Sequence, residues 1–61
     1  MNWTRVDSSA GETYELPERA TMRAIKYALG ITGRRIALTG AYGQWRAYRL
    51  IGTRYTFVVT E

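Results

Sequence analysis

The side chains in this sequence best able to do chemistry are its arginines, which make up eight of its nine basic residues. A guanidinium presents a planar fork of donors that matches phosphate or carboxylate at two points, where lysine offers only a compact ammonium. The cations are unevenly distributed. Asp7, Glu12, Glu15 and Glu18 lie in the first eighteen residues beside Arg5 alone, whereas residues 19–60 hold eight cations and no carboxylate. Such an imbalance sets up a positive potential that draws in anionic partners. GC-rich coding also raises arginine content, so composition alone does not assign a role. The arrangement says more. In "GQWRAYRLIG", residues 43–52, arginine alternates with aromatic and aliphatic residues. A strand face that collects Arg35, Arg46, Tyr48 and Arg54, with Thr56 beside them, could neutralise phosphates and stack a base, a combination recurrent in readers of RNA and single strands. The competing reading of the same face is a solvated surface on which Tyr48 packs against the Arg54 guanidinium.

Other chemistries lack their residues. The chain has no histidine and no cysteine, which removes the usual general base, the thiol nucleophile and any zinc or iron site. Its carboxylates form no close pair, and its glycines match neither a phosphate loop nor a dinucleotide fingerprint. The expectation is a non-enzymatic protein with no cofactor and no metal.

The elements that must position the arginines follow from local signals. "NWTRV" and "ETYEL" read as two short strands around the polar turn "DSSAG", with Trp3, Val6, Tyr14 and Leu16 as the buried contributors. After Pro17 comes the one convincing helix. Thr21 can cap it, or Pro17 can occupy its first turn instead; in either case Met22, Ile25, Ala28 and Leu29 recur at helical spacing, and Gly30 supplies a stop. From Arg35 onward, β-branched and aromatic residues between glycines predict three consecutive antiparallel strands. The fold class is therefore α+β, one amphipathic helix packed on a mainly antiparallel sheet in the order β-β-α-β-β-β. A helix-turn-helix through Ile25, Leu29, Gly30, Ile31 and Ile36 is the weaker alternative, because its second helix would contain three glycines.

Turn lengths set which side of the sheet is wet. A three-residue loop of Leu50, Ile51 and Gly52 pairs Arg49 with Thr53 and Trp45 with Phe57, and a four-residue "GAYG" loop pairs Leu38 with Trp45. Both turns put Trp45 with Ile36, Leu38, Ala47, Tyr55, Phe57 and Val59 under the helix. Arg46, Tyr48 and Arg54 then face out. A two-residue turn at Gly52 would exchange Trp45 and Tyr48, because side chains alternate strictly along a strand, and would move the site to Arg49 and Arg54.

At 61 residues the chain is expected to be a single small domain, residues 1–61, near the lower limit for an unstapled core. Self-association is one way to supply the missing burial. The longest uncharged run, residues 36–45, is far shorter than the roughly 20 apolar residues of a membrane span. No leader peptide is evident, so the cytoplasm is the expected compartment.

"NWTRVDSS", "TYELP" and "TMRAIKYAL" resemble, in order and residue type, the strand-strand-helix opening of the small phage-encoded inhibitors of bacterial RNA polymerase. Trp3, Val6, Ser8, Ser9, Glu15 and Pro17 carry the resemblance, which covers under half of the chain. It implies a compact non-enzymatic protein that blocks a larger machine, and assigns no binding residue. Two partners are thus in view: nucleic acid, favoured by the arginine-aromatic pattern, and an acidic protein surface, as an inhibitor or regulator would need.

Overall fold

The computed structural model describes residues 3–61, so the Asn2 that opens the first expected strand lies outside the described residues. The element order is β1 (Trp3–Ser8), β2 (Thr13–Pro17), α1 (Met22–Leu29), β3 (Ile36–Tyr42), β4 (Trp45–Leu50) and β5 (Thr56–Thr60). The strands form one antiparallel sheet in the order β2-β1-β5-β4-β3, with α1 on one face. This is the α+β class expected from the sequence. The helix-turn-helix alternative fails, because residues 36–42 form a strand. No helix among the described residues is long and apolar enough to cross a membrane.

The helix ends are built by the residues that signalled them. The Ala24 N–H donates to Thr21 Oγ1 at 3.2 Å, satisfying one of the donors a helix start leaves free. At the other end Gly30 takes a left-handed φ of 75°, and the N–H groups of Gly30 and Ile31 return to Tyr27 and Lys26 at 3.1 and 2.9 Å. This closure turns Ile31 into the core, as helix C-termini of this kind commonly do with the residue after glycine.

Val6, Ile25, Ile31, Leu50, Phe57 and Val59 form the core, packed around by Tyr14, Leu16, Met22, Leu29, Tyr48 and others. Thr4 is fully buried beside them. Its hydroxyl accepts from the Ala20 N–H at 3.3 Å, tying the connection between β2 and α1 to the sheet. That connection passes through Arg19 at a φ of 59°, a left-handed conformation that costs a non-glycine residue about 1–2 kcal/mol.

The register differs from the expected one at both turns. The loop after β4 holds four residues, 51–54, closed by Leu50 N–H to the Tyr55 carbonyl at 2.9 Å. Gly52 is left-handed, as expected, with a φ of 85°. The Thr53 hydroxyl adds the bracing, donating to the Leu50 carbonyl at 2.9 Å and accepting from the Tyr55 N–H at 3.1 Å. Tyr48 therefore pairs with Phe57, Arg49 with Thr56 and Ala47 with Val58. The turn before β4 is two residues, Gly43 and Gln44, and the pairing of β3 with β4 shifts between Leu38 and Gly40. Thr39 is the extra residue, and its hydroxyl donates to the Ala47 carbonyl at 3.2 Å.

The faces of β4 are thereby exchanged. Tyr48 and Leu50 point toward the helix, while Trp45, Ala47 and Arg49 point to the open side. The physical reason is Leu50, which is 4% exposed. A three-residue loop would have left this leucine in solvent, and its burial draws every second residue of β4 inward with it. Trp3 is corrected in the same way. It is half-exposed on the open face with Arg5 and Asp7, and Thr4 takes the buried place beside Val6.

Candidate nucleic-acid interface

The open face can be mapped by following the strand pairings across the sheet. One rung runs Glu15, Arg5, Thr60, Trp45, Tyr42, and the next runs Thr13, Asp7, Val58, Ala47, Gly40. A third holds Thr56, Arg49 and Ala37. On β4 and β3 the large side chains of Trp45, Tyr42 and Arg49 thus flank the small Ala47 and Gly40. The Trp45 indole extends over Gly40, with ring carbon Cζ3 3.9 Å from where a Cβ would stand. Beside it lies Tyr42, ring centroids 5.8 Å apart and planes inclined at 50°. Trp45 is 38% and Tyr42 78% exposed. Two adjacent aromatics left in water on the helix-free face form a platform on which planar groups can stack.

The one carboxylate on the middle rung is already engaged. Arg5 Nε donates to both Asp7 oxygens, at 3.1 and 3.3 Å, and the Thr13 hydroxyl donates to Oδ1 at 2.9 Å. The Thr13 hydroxyl first, and Arg5 second, hold the Asp7 carboxyl below its ordinary value. A carboxyl whose folded pKa is depressed stabilises the fold above the ordinary value near 4, and that contribution is lost as pH falls through the lowered value. The urea midpoint of Asp7→Asn should accordingly lie below that of the native chain at pH 7, and the gap should close toward pH 2. A gap that stays constant over this range would remove Asp7 as its source.

The cations gather at one end of the sheet. The Ile51 N–H donates to the Arg35 carbonyl at 3.0 Å, placing the start of β3 against the loop that carries Arg54. Lys26 Nζ donates to the Arg34 carbonyl at 2.7 Å. Arg49 stands opposite Thr56 and Ala37 at the same end. Among the described residues the ion pairs are Arg5 with Asp7 and Arg19 with Glu18, so every other cation from Arg23 to Arg54 has no carboxylate within reach. At the opposite end a shallow depression lined by Trp3, Glu18, Arg19, Gln44 and Glu61 carries two carboxylates, which disfavour a bound anion. The separation of charge along the strands is partial, since Glu12 in the β1–β2 turn lies at the same end as Arg49, and Arg5 lies on the rung of Trp45 at the other.

The four residues expected to form one face are not brought together as one. Arg35, at the start of β3, lies beside the loop that carries Arg54. Tyr48 lies on the helix side, half-buried, stacked on Phe57 with centroids 5.2 Å apart and planes 20° from parallel. Arg46 is exposed, but on the helix side opposite Val59. In their place the open face presents Tyr42, Trp45 and Arg49. The signal that points to them is Leu50: read as a core residue, it forces Trp45, Ala47 and Arg49 outward. No protein-family model matches the chain, and neither a curated protein nor a solved structure matches it.

Proposed function

We propose that this protein is a non-enzymatic binding module of the cytoplasm that holds single-stranded nucleic acid across its open sheet face. Bases stack on Tyr42 and Trp45, and phosphates run along β4 toward Arg49 and the basic end formed with Arg35 and Arg54. The observation that carries the reading is the exposed Tyr42–Trp45 pair on the helix-free face, in line with a cation that has no carboxylate partner. Trp45 and Arg49 are four residues apart on one strand, a span of about 13 Å. That suits a short run of nucleotides, with flexible strands following the twist of the sheet better than a rigid duplex would.

Titration of a labelled single-stranded oligonucleotide, followed by fluorescence anisotropy at several salt concentrations, tests the reading. Each phosphate neutralised on a single strand contributes about 0.7 to the slope of log affinity against log salt. Trp45→Ala should weaken binding by about 1–3 kcal/mol with little change in slope. Arg49→Ala should flatten the slope by about 0.7. Arg46→Ala, on the helix side, should do neither. Equal losses from Arg46→Ala and Arg49→Ala would mean a diffuse basic surface. A specific protein retained from lysate after nuclease treatment, with unaltered oligonucleotide binding in Trp45→Ala, would favour the inhibitor-like reading against an acidic protein surface.

A further inference from the structure

The two edges of the sheet are not equally guarded. A free edge offers unpaired N–H and C=O groups to any strand that can reach it, and proteins blunt such edges with charge, proline or cover. On the β2 edge Glu15 lies within the strand, Pro17 ends it, and Glu12 and Glu18 flank it. The β3 edge carries neither charge nor proline within the strand, and Arg34 and Arg35 flank only its start. Residues 36–45 carry no charge and no proline, and on β3 Leu38 is 57% exposed on the helix side and Tyr42 78% on the open side. The bulge that would otherwise spoil this edge has its extra residue, Thr39, bonded inward to β4.

From this asymmetry we infer that β3 is a self-association edge, and that its occupant is β3 of a second copy, antiparallel across a two-fold axis between Thr39 and Gly40. The faces decide the register. Ala37, Gly40 and Tyr42 lie on the open side, and Ile36, Leu38 and Ala41 on the helix side. A strand can join a sheet only with like faces aligned. Pairing about that axis sets Tyr42 opposite Ala37 of the second copy and Ala41 opposite Leu38, so open meets open and helix side meets helix side on both flanks of the bulge. Charge fixes the direction. Antiparallel pairing sends the two Arg34–Arg35 pairs to opposite ends, each beside the other copy's uncharged Gln44 and Trp45, whereas parallel pairing would crowd four arginines together. Because this fit is self-complementary, it selects a second copy over a foreign strand. The product is a closed, isologous dimer with a ten-stranded sheet, both helices on one side and the two open faces continuous.

Sedimentation velocity without nucleic acid tests this independently of the proposed function. The native chain should show a concentration-dependent monomer–dimer equilibrium. Leu38→Lys, at an exposed position that leaves the fold intact by circular dichroism, should raise the dimer Kd by about tenfold or more. Adding Ala41→Glu to that variant should restore the dimer, because each introduced ammonium then meets an introduced carboxylate across the axis. A native chain that remains monomeric to about 1 mM, where binding falls to about 4 kcal/mol, would overturn the inference. So would open-ended assembly, or a double variant as weak as the single one.

Discussion

Phe57→Ala is expected to be the most destabilising single truncation in the chain, removing about 3–5 kcal/mol of its stability. Phe57 is 1% exposed and lies between two rings, Tyr48 at 5.2 Å and Tyr55 at 6.5 Å. It also occupies the central strand of the sheet. Truncating a buried phenylalanine costs about 3–5 kcal/mol, part in lost transfer and part in the cavity left behind. A domain of this size has about 3–9 kcal/mol to lose, taking roughly 0.05–0.15 kcal/mol per residue. Far-UV circular dichroism with urea titration measures the outcome. A folded variant that loses under about 1 kcal/mol would show that the neighbouring rings close over the space and that Phe57 is not the centre of the core.

Ile25→Ala should be the next most damaging change, at about 2–5 kcal/mol. Leu29→Ala should cost clearly less. The two residues look equivalent on a helical wheel, one turn apart on the same stripe. In the structure Ile25 is 2% exposed, whereas Leu29 is half-buried in the last turn of α1, so truncating it removes less buried surface and leaves no closed cavity. Urea midpoints of the two variants decide the matter. Equal losses, or a larger one for Leu29→Ala, would mean that the end of the helix lies deeper against the sheet than its exposure indicates.

Much of this architecture can be read from short-range signals. Thr21 and Gly30 bound α1 as their cap chemistry requires, and the glycines after β1, β3 and β4 fall in turns, whereas Gly40, expected in one turn with Gly43, lies within β3. What could not be read is parity. Whether Trp45 or Tyr48 points to the helix depends on one residue more or less in the loop after β4, and the fourth residue is held there by the Thr53 hydroxyl. No propensity scale reports that bond. The bulge at Thr39 adds a second slip of one residue within β3. For the candidate site the consequence is specific. The residue types were recognisable in the sequence, arginine beside aromatic on a sheet, but the members changed. Tyr48 became a core ring stacked on Phe57, and Trp45 with Tyr42 took the exposed position. Leu50 was the available clue. An aliphatic pair before a glycine, Leu50 and Ile51, reads as loop until the burial of Leu50 is weighed against the arginine before it.

The place of β5 in the sheet bears on how the molecule comes into being. The β1–β2 and β3–β4 hairpins are joined within the sheet only through this strand, the last element in the sequence. A lone hairpin is marginal in water at best, so neither half holds native structure before residues 56–60 arrive to bridge them. Docking them sets Ser8 against Phe57, closing a loop of nearly fifty residues at an entropic cost of about 3.5 kcal/mol. That cost falls before most of the core contacts form, and it slows folding relative to a helical chain of equal length. The growing polypeptide therefore has no stable native substructure to acquire during synthesis, and it reaches its fold in one late cooperative step.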